Sequence, residues 1–201
     1  MQKKISPLQE HLLVLEEECK KGDLTLSQLF QVFGNDSHYV IILFLVLPFL
    51  QPVPLFGLST PFGFLISVVA WLSFIKKPPY VPNRWKQKLL PKEIVLKIAV
   101  GFTALFDKIS FLIHPRWGFL IGGPFRAINT LIVIWNCFLL ALPLPVPFTN
   151  TGPACAIFCI ALAILEEDGL FILLSYLFSV LTVIYFALIA GGVKSGLSIL
   201  L

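Results

Sequence analysis

The chain has 201 residues, 57% of them hydrophobic and 13% charged, with a mean hydropathy of +0.90 and a formal net charge of +4. Soluble domains carry about 25% charged residues, so the composition argues for an integral membrane protein and against a soluble enzyme. The small positive balance says little about nucleic acid by itself, and its distribution along the chain says more.

The N-terminus, MQKKISPLQEHLLVLEEECKK, has too few apolar residues, too often interrupted by charge, to be a signal peptide. Ser6-Pro7-Leu8-Gln9 has the make-up of a helix start, with Gly22 as its stop. Thr25-Leu26-Ser27-Gln28 repeats the signal and Gly34 offers a second stop. Leu26, Leu29, Phe30 and Phe33 fall on one face of that second helix. Residues 1–37 therefore read as a cytoplasmic amphipathic helical arm. It either lies on the membrane surface or, the favoured reading, caps the bundle. Asn35-Asp36-Ser37 caps the first hydrophobic run, and residues 38–201 form the membrane domain.

Residues 41–75 contain no Asp, Glu, Lys, Arg or His in 35 positions. A membrane helix needs about 20 apolar residues, so this run is too long for one crossing and short for two. Pro48, Pro52, Pro54, Gly57 and Pro61 prevent a straight helix through its middle. The expectation is a hairpin over 38–75, with two half-segments near 39–51 and 59–75 joined at a broken corner. Carbonyls freed at such a corner must be buried in protein, line a wet cavity or reach the membrane surface.

Residues 76–126 read as a basic loop followed by a central amphipathic helix. Lys76, Lys77, Arg84, Lys86, Lys88 and Lys92 meet only Glu93 as an opposing charge, with Tyr80 and Trp85 nearby. This is the signature of a cytoplasmic loop at headgroup level. Anionic lipid is a candidate partner for residues 76–92, and nucleic acid is not expected. Residues 94–113 are long enough to cross but carry Lys97, Asp107 and Lys108. They lie in the interface, the favoured reading, or cross with their charges facing a cavity. His114-Pro115-Arg116-Trp117-Gly118 then breaks the helix.

Residues 131–165 are a second charge-free run of 35. With a shift of 93, Pro52-Val53-Pro54 falls on Pro145-Val146-Pro147; Pro61 meets Pro153 after a one-residue slip. We read this as an internal duplication, with the second hairpin over 127–165. Glu166-Glu167-Asp168-Gly169 follows, then a terminal transmembrane helix over 169–191, ended by Gly191-Gly192. The fold class is thus an all-α integral membrane protein with two proline-broken hairpins. Ten of the fifteen Lys and Arg lie between residues 76 and 126, four precede residue 22, and only Lys194 lies beyond. The N-terminus and the centre are therefore placed in the cytoplasm.

The hairpins and the acidic turn resemble the ExoD family, bacterial inner-membrane proteins linked to exopolysaccharide synthesis. The resemblance rests on LPFLQPVPLFGLSTPFG, PPYVPNRWKQKLLP and LPLPVPFTNTGPA, and spans about 24–190. The family's acidic-Arg-Asp-Gly turn is here Glu166-Glu167-Asp168-Gly169, with glutamate in place of the arginine. It implies an inner-membrane, envelope-related role without supplying a mechanism.

No G-x-S-x-G, H-E-x-x-H or phosphate-cradling glycine loop occurs, so neither an enzyme nor a cofactor is expected. Cys155 and Cys159, one helical turn apart without a nearby His or carboxylate, read as small buried hydrophobes rather than metal ligands. The candidate binding residues sit at the corners: Gln51, Ser59 and Thr60 in the first, Thr149, Asn150 and Thr151 in the second. Glu166 and Asp168 are candidates for an acidic relay. Paired interrupted segments suit a small transporter or lipid-handling protein. The alternative is a non-catalytic scaffold for a polysaccharide-export machine. So few apolar segments also suit a homodimer.

Overall fold

The computed structural model describes residues 7–51, 57–78, 89–90, 92, 95–96, 100, 113–142 and 146–200. Most of the basic loop, most of 94–113 and the prolines at 52, 54 and 145 lie outside these residues. The described chain is all-α apart from one small ribbon. Helix α1 spans Pro7–Lys21 and α2 spans Leu26–Phe33. Gly22 and Gly34 follow them with φ of 146° and 51°, in the half of backbone space that only glycine enters without cost. The capping box is made as its residues dictate. Thr25 N donates to Gln28 Oε1 at 2.8 Å, and Gln28 N donates back to Thr25 Oγ1 at 3.2 Å.

Between the two helices, strand β1 (Leu24–Thr25) pairs antiparallel with β2 (Leu89–Leu90), Leu24 opposite Leu90. Lys92 N donates to Asp23 Oδ1 at 3.1 Å, so the arm is tied to the end of the basic loop.

The first hairpin is α3 (Ser37–Val46), extended by a 3-10 turn over Leu47–Leu50, and α4 (Ser59–Phe74). The second is α5 (Phe125–Ala141) and α6 (Thr151–Glu166). Each break falls at its proline-rich corner, where helical hydrogen bonding cannot continue. Helix α7 follows at Gly169–Leu200. It does not end at Gly191-Gly192, as the sequence suggested. A glycine costs a helix only about 1 kcal/mol relative to alanine, and unlike proline it keeps its amide hydrogen bond.

Helix α6 is the hub. It packs on α3, α5 and α7, and α4 packs along α5. Ala154, Ala156, Ile157, Ile160, Ala161, Leu162 and Ala163 of α6 are all buried. The hub is built from small residues where neighbours come close. A Cβ on Gly152 would stand 2.5 Å from Thr182 Oγ1 of α7. One on Gly63 of α4 would stand 2.8 Å from the Cys137 carbonyl of α5.

The exterior is apolar: Phe64 is 72% exposed, Leu131 62% and Leu188 68%. The polar side chains Asn129, Asn136, Ser175, Ser179 and Asp168 are buried. Among the described residues, Gly169–Gly192 is the one stretch of helix long and apolar enough to cross a membrane. Ser37–Leu50, Ser59–Phe74, Phe125–Ala141 and Thr151–Glu166 are shorter apolar helices. At 1.5 Å per residue they measure about 21 to 26 Å, against a hydrocarbon layer of about 30 Å.

Candidate functional site

The two ends of the bundle are chemically different. At one end the corners meet. Thr151 Oγ1, at the start of α6, donates to the Gln51 carbonyl at 3.2 Å. Thr60 Oγ1, at the start of α4, donates to the Ala141 carbonyl at 2.9 Å. These bonds are reciprocal: in each, a hydroxyl opening the second helix of one hairpin takes a carbonyl that ends the first helix of the other. Thr149 Oγ1 donates to the Val146 carbonyl at 2.8 Å, and Tyr185 OH of α7 to the Pro147 carbonyl at 2.7 Å. Four carbonyls of the interrupted backbone are thus satisfied by hydroxyls of the protein itself. Of the candidate residues, Thr60, Thr149 and Thr151 are used in this way. Ser59 and Asn150 are buried and Gln51 is exposed. The structure therefore brings the two corners together, but their hydroxyl protons point into backbone.

The opposite end carries the charges. His38 Nε2 donates to the Lys77 carbonyl at 2.9 Å, which closes the first hairpin at its open end. The Arg126 guanidinium, at the start of α5, donates to the carbonyl of Ser73 at the end of α4. Asp168, fully buried between α6 and α7, accepts from His114 N at 3.0 Å, Arg116 Nε at 3.2 Å and Leu170 N at 3.0 Å. Gly169 N completes the clasp with the Arg116 carbonyl at 2.7 Å. Asp168 thus fastens the segment before α5 to the α6–α7 turn; Glu166, two residues earlier, is also buried.

Two features of this end escaped the sequence. Arg116, Trp117, Gly118, Ile121 and Glu167 line an open pocket of about 460 Å³. Trp117 and Glu167 both hold left-handed backbone, at φ 53°, ψ 40° and φ 54°, ψ 31°. A buried polar seam also joins α5 to α7. Asn136 Nδ2 donates to Ser179 Oγ at 2.8 Å and Tyr176 OH to Asn129 Oδ1 at 2.7 Å. Its signal was present: Asn129 and Asn136 lie two turns apart, and Ser175, Ser179 and Thr182 recur at helical spacing.

Asp36, where the arm enters the bundle, has its carboxyl pushed up from the ordinary value. Burial is the main cause and Glu167 adds to it, while His11 pulls the other way.

The family described as "Exopolysaccharide synthesis, ExoD" matches residues 8–188. Protein ExoD of Rhizobium meliloti (strain 1021) is 32% identical over 184 residues, covering 90% of this chain and 77% of that protein. The uncharacterized protein slr1875 of Synechocystis sp. is 27% identical over 166 residues, covering 82% of this chain and 78% of that one. No solved structure matches the chain.

Proposed function

Because the chain belongs to the ExoD family, whose description is exopolysaccharide synthesis, we propose that it is a polytopic protein of the bacterial inner membrane and a non-catalytic scaffold for making or exporting polysaccharide. The observation that carries this reading is the set of bonds made by the described residues of the two corners. A transporter of this construction uses its interrupted backbone and the nearby side chains to hold cargo. Here hydroxyls from the facing hairpin and from α7 hold the carbonyls of Gln51, Ala141 and Pro147 instead.

The buried polar side chains and the apolar exterior support the membrane setting, since lipid demands that backbone and side-chain polar groups be satisfied inside. The duplication is supported by matched geometry. Helices α4 and α6 both have 16 residues, start on a hydroxyl residue (Ser59, Thr151) and carry proline at the third position (Pro61, Pro153). Exchanging the hairpins exchanges the α3–α6 contact with the α5–α4 contact. Both hairpins open toward the end that holds Lys77, Arg116 and Arg126, so the copies are parallel and related by an axis along the bundle. With fourteen of the fifteen Lys and Arg preceding residue 127, that end is cytoplasmic, and the chain between Lys77 and His114 leaves and returns on the same side.

Sidedness tests this. The four native cysteines are replaced, single cysteines are placed by Gly122→Cys and Gly192→Cys, and intact cells receive an impermeant thiol reagent. The expected result is labelling of G192C alone. Labelling of G122C from outside would put the charged end on the outer face and overturn the orientation assigned here.

A further inference from the structure

We infer that the pocket between the Pro115–Gly122 segment and the α6–α7 turn binds a phosphate diester bearing a primary amine, the headgroup chemistry of phosphatidylethanolamine. The inference deepens the membrane reading and rests on it for the source of the ligand. The pocket's volume, about 460 Å³, falls in the range of small-molecule sites. Its walls present opposite charges. A simple anion would face Glu167 and a simple cation would face Arg116; a zwitterion with phosphate toward Arg116 and ammonium toward Glu167 meets both. Arg116 is fixed for this, because Asp168 holds its Nε while 39% of its side chain stays exposed. A guanidinium has five N–H donors in one plane and suits phosphate better than an ammonium does.

The backbone supplies a second observation. Glu167 occupies the left-handed position just past the end of α6, where the Asp168 amide reaches back to the Ala163 carbonyl at 3.1 Å. That position ordinarily takes glycine. Trp117 also has positive φ, so two of the four described non-glycine residues with positive φ line this one pocket. Strain of this kind concentrates at ligand sites.

The surroundings suit a lipid. Trp117 is half exposed and Phe119 is 65% exposed, as expected of rings seated at headgroup level. Along the adjoining helices Ile128 and Leu131 of α5 and Leu173 and Leu177 of α7 are exposed, an apolar track for acyl chains.

The test uses the full chain in detergent and follows its thermal midpoint. Short-chain phosphatidylethanolamine, phosphatidylcholine and phosphatidylglycerol are titrated, with glycerophosphoethanolamine as a diester that has no acyl chains. The ethanolamine lipid should bind most tightly. Glu167→Gln should weaken it roughly tenfold, about 1.4 kcal/mol, and leave the glycerol lipid unchanged. Glu167→Gly should lose the same preference while melting no lower than the parent without lipid, since glycine relieves the left-handed strain. Equal binding of the three lipids, or a preference that survives both Glu167 variants, would overturn the site. Glycerophosphoethanolamine acting as well as the lipid would support the same chemistry from a soluble source. A chain that folds without detergent and responds to glycerophosphoethanolamine alone would remove the membrane reading and keep the pocket.

Discussion

Gly169 shows how much of this structure hangs on single atoms. A Cβ at that position would lie 2.6 Å from the Trp117 carbonyl oxygen, 2.8 Å from Trp117 Cβ and 3.0 Å from the Arg116 carbonyl. None of these is the far end of a flexible side chain, so the Asp168 clasp itself would have to shift. Gly169→Ala is expected to cost about 1–3 kcal/mol, the usual range for overpacking. Gly191→Ala is its control. Nothing lies within 4 Å of a Cβ there, and the residue sits inside α7. That exchange should be neutral or stabilise by up to about 1 kcal/mol. Thermal midpoints of both variants in one detergent check the pair. The Asp-Gly pair was visible in the sequence, but its reason was not. The atoms it must accommodate come from residues more than fifty positions earlier, and no local pattern announces them.

Among elements, what was legible was local. The glycine stops at Gly22 and Gly34, the Thr25–Gln28 capping box and the proline-broken corners each depend on residues within a few positions of one another. The corner-to-corner bonds join Thr60 to Ala141 and Gln51 to Thr151, and the sequence could offer those residues only as candidates for a site. The extent of α7 past Gly191 was misread for a different reason: paired glycines look like a stop, yet each keeps its amide hydrogen bond and costs a helix only about 1 kcal/mol relative to alanine. The seam gives a second expectation. Thr60→Val and Thr151→Val each remove one hydroxyl donor from a backbone carbonyl, at about 0.5–1.5 kcal/mol apiece. Under the scaffold reading, cells carrying either variant make normal polysaccharide at normal protein levels. Loss of polysaccharide with undiminished folded protein would show that the corners act on cargo.

Taken whole, the molecule is a bundle with an arm folded over its charged end, and Asp36 is the joint. Its carboxyl titrates above the ordinary value because burial penalises the charged form. A carboxyl whose folded-state value is raised favours the folded state when protonated. That contribution is present at low pH and is lost as pH rises through the folded-state value. Asp36→Asn should therefore be at least as stable as the parent at neutral pH, and the difference should close as pH falls toward the carboxylate range. Urea or thermal denaturation of both proteins across that range provides the measurement. An advantage of the variant that grew on acidification would mean that Asp36 is stabilised in its charged form.

In the proposed membrane setting, the unequal lengths of the helices have a consequence for the surrounding lipid. From Gly169 to Gly192 helix α7 is about 35 Å long, whereas the four hairpin helices stop near 21 to 26 Å. A bilayer meeting both must match a long apolar wall on one flank and a short one on the other. Hydrophobic mismatch of this size thins the leaflets beside the short helices, at fractions of a kcal/mol per Å. The protein would then sit in the membrane as a wedge with a dimple along one side, where the distance between the two aqueous faces is smallest.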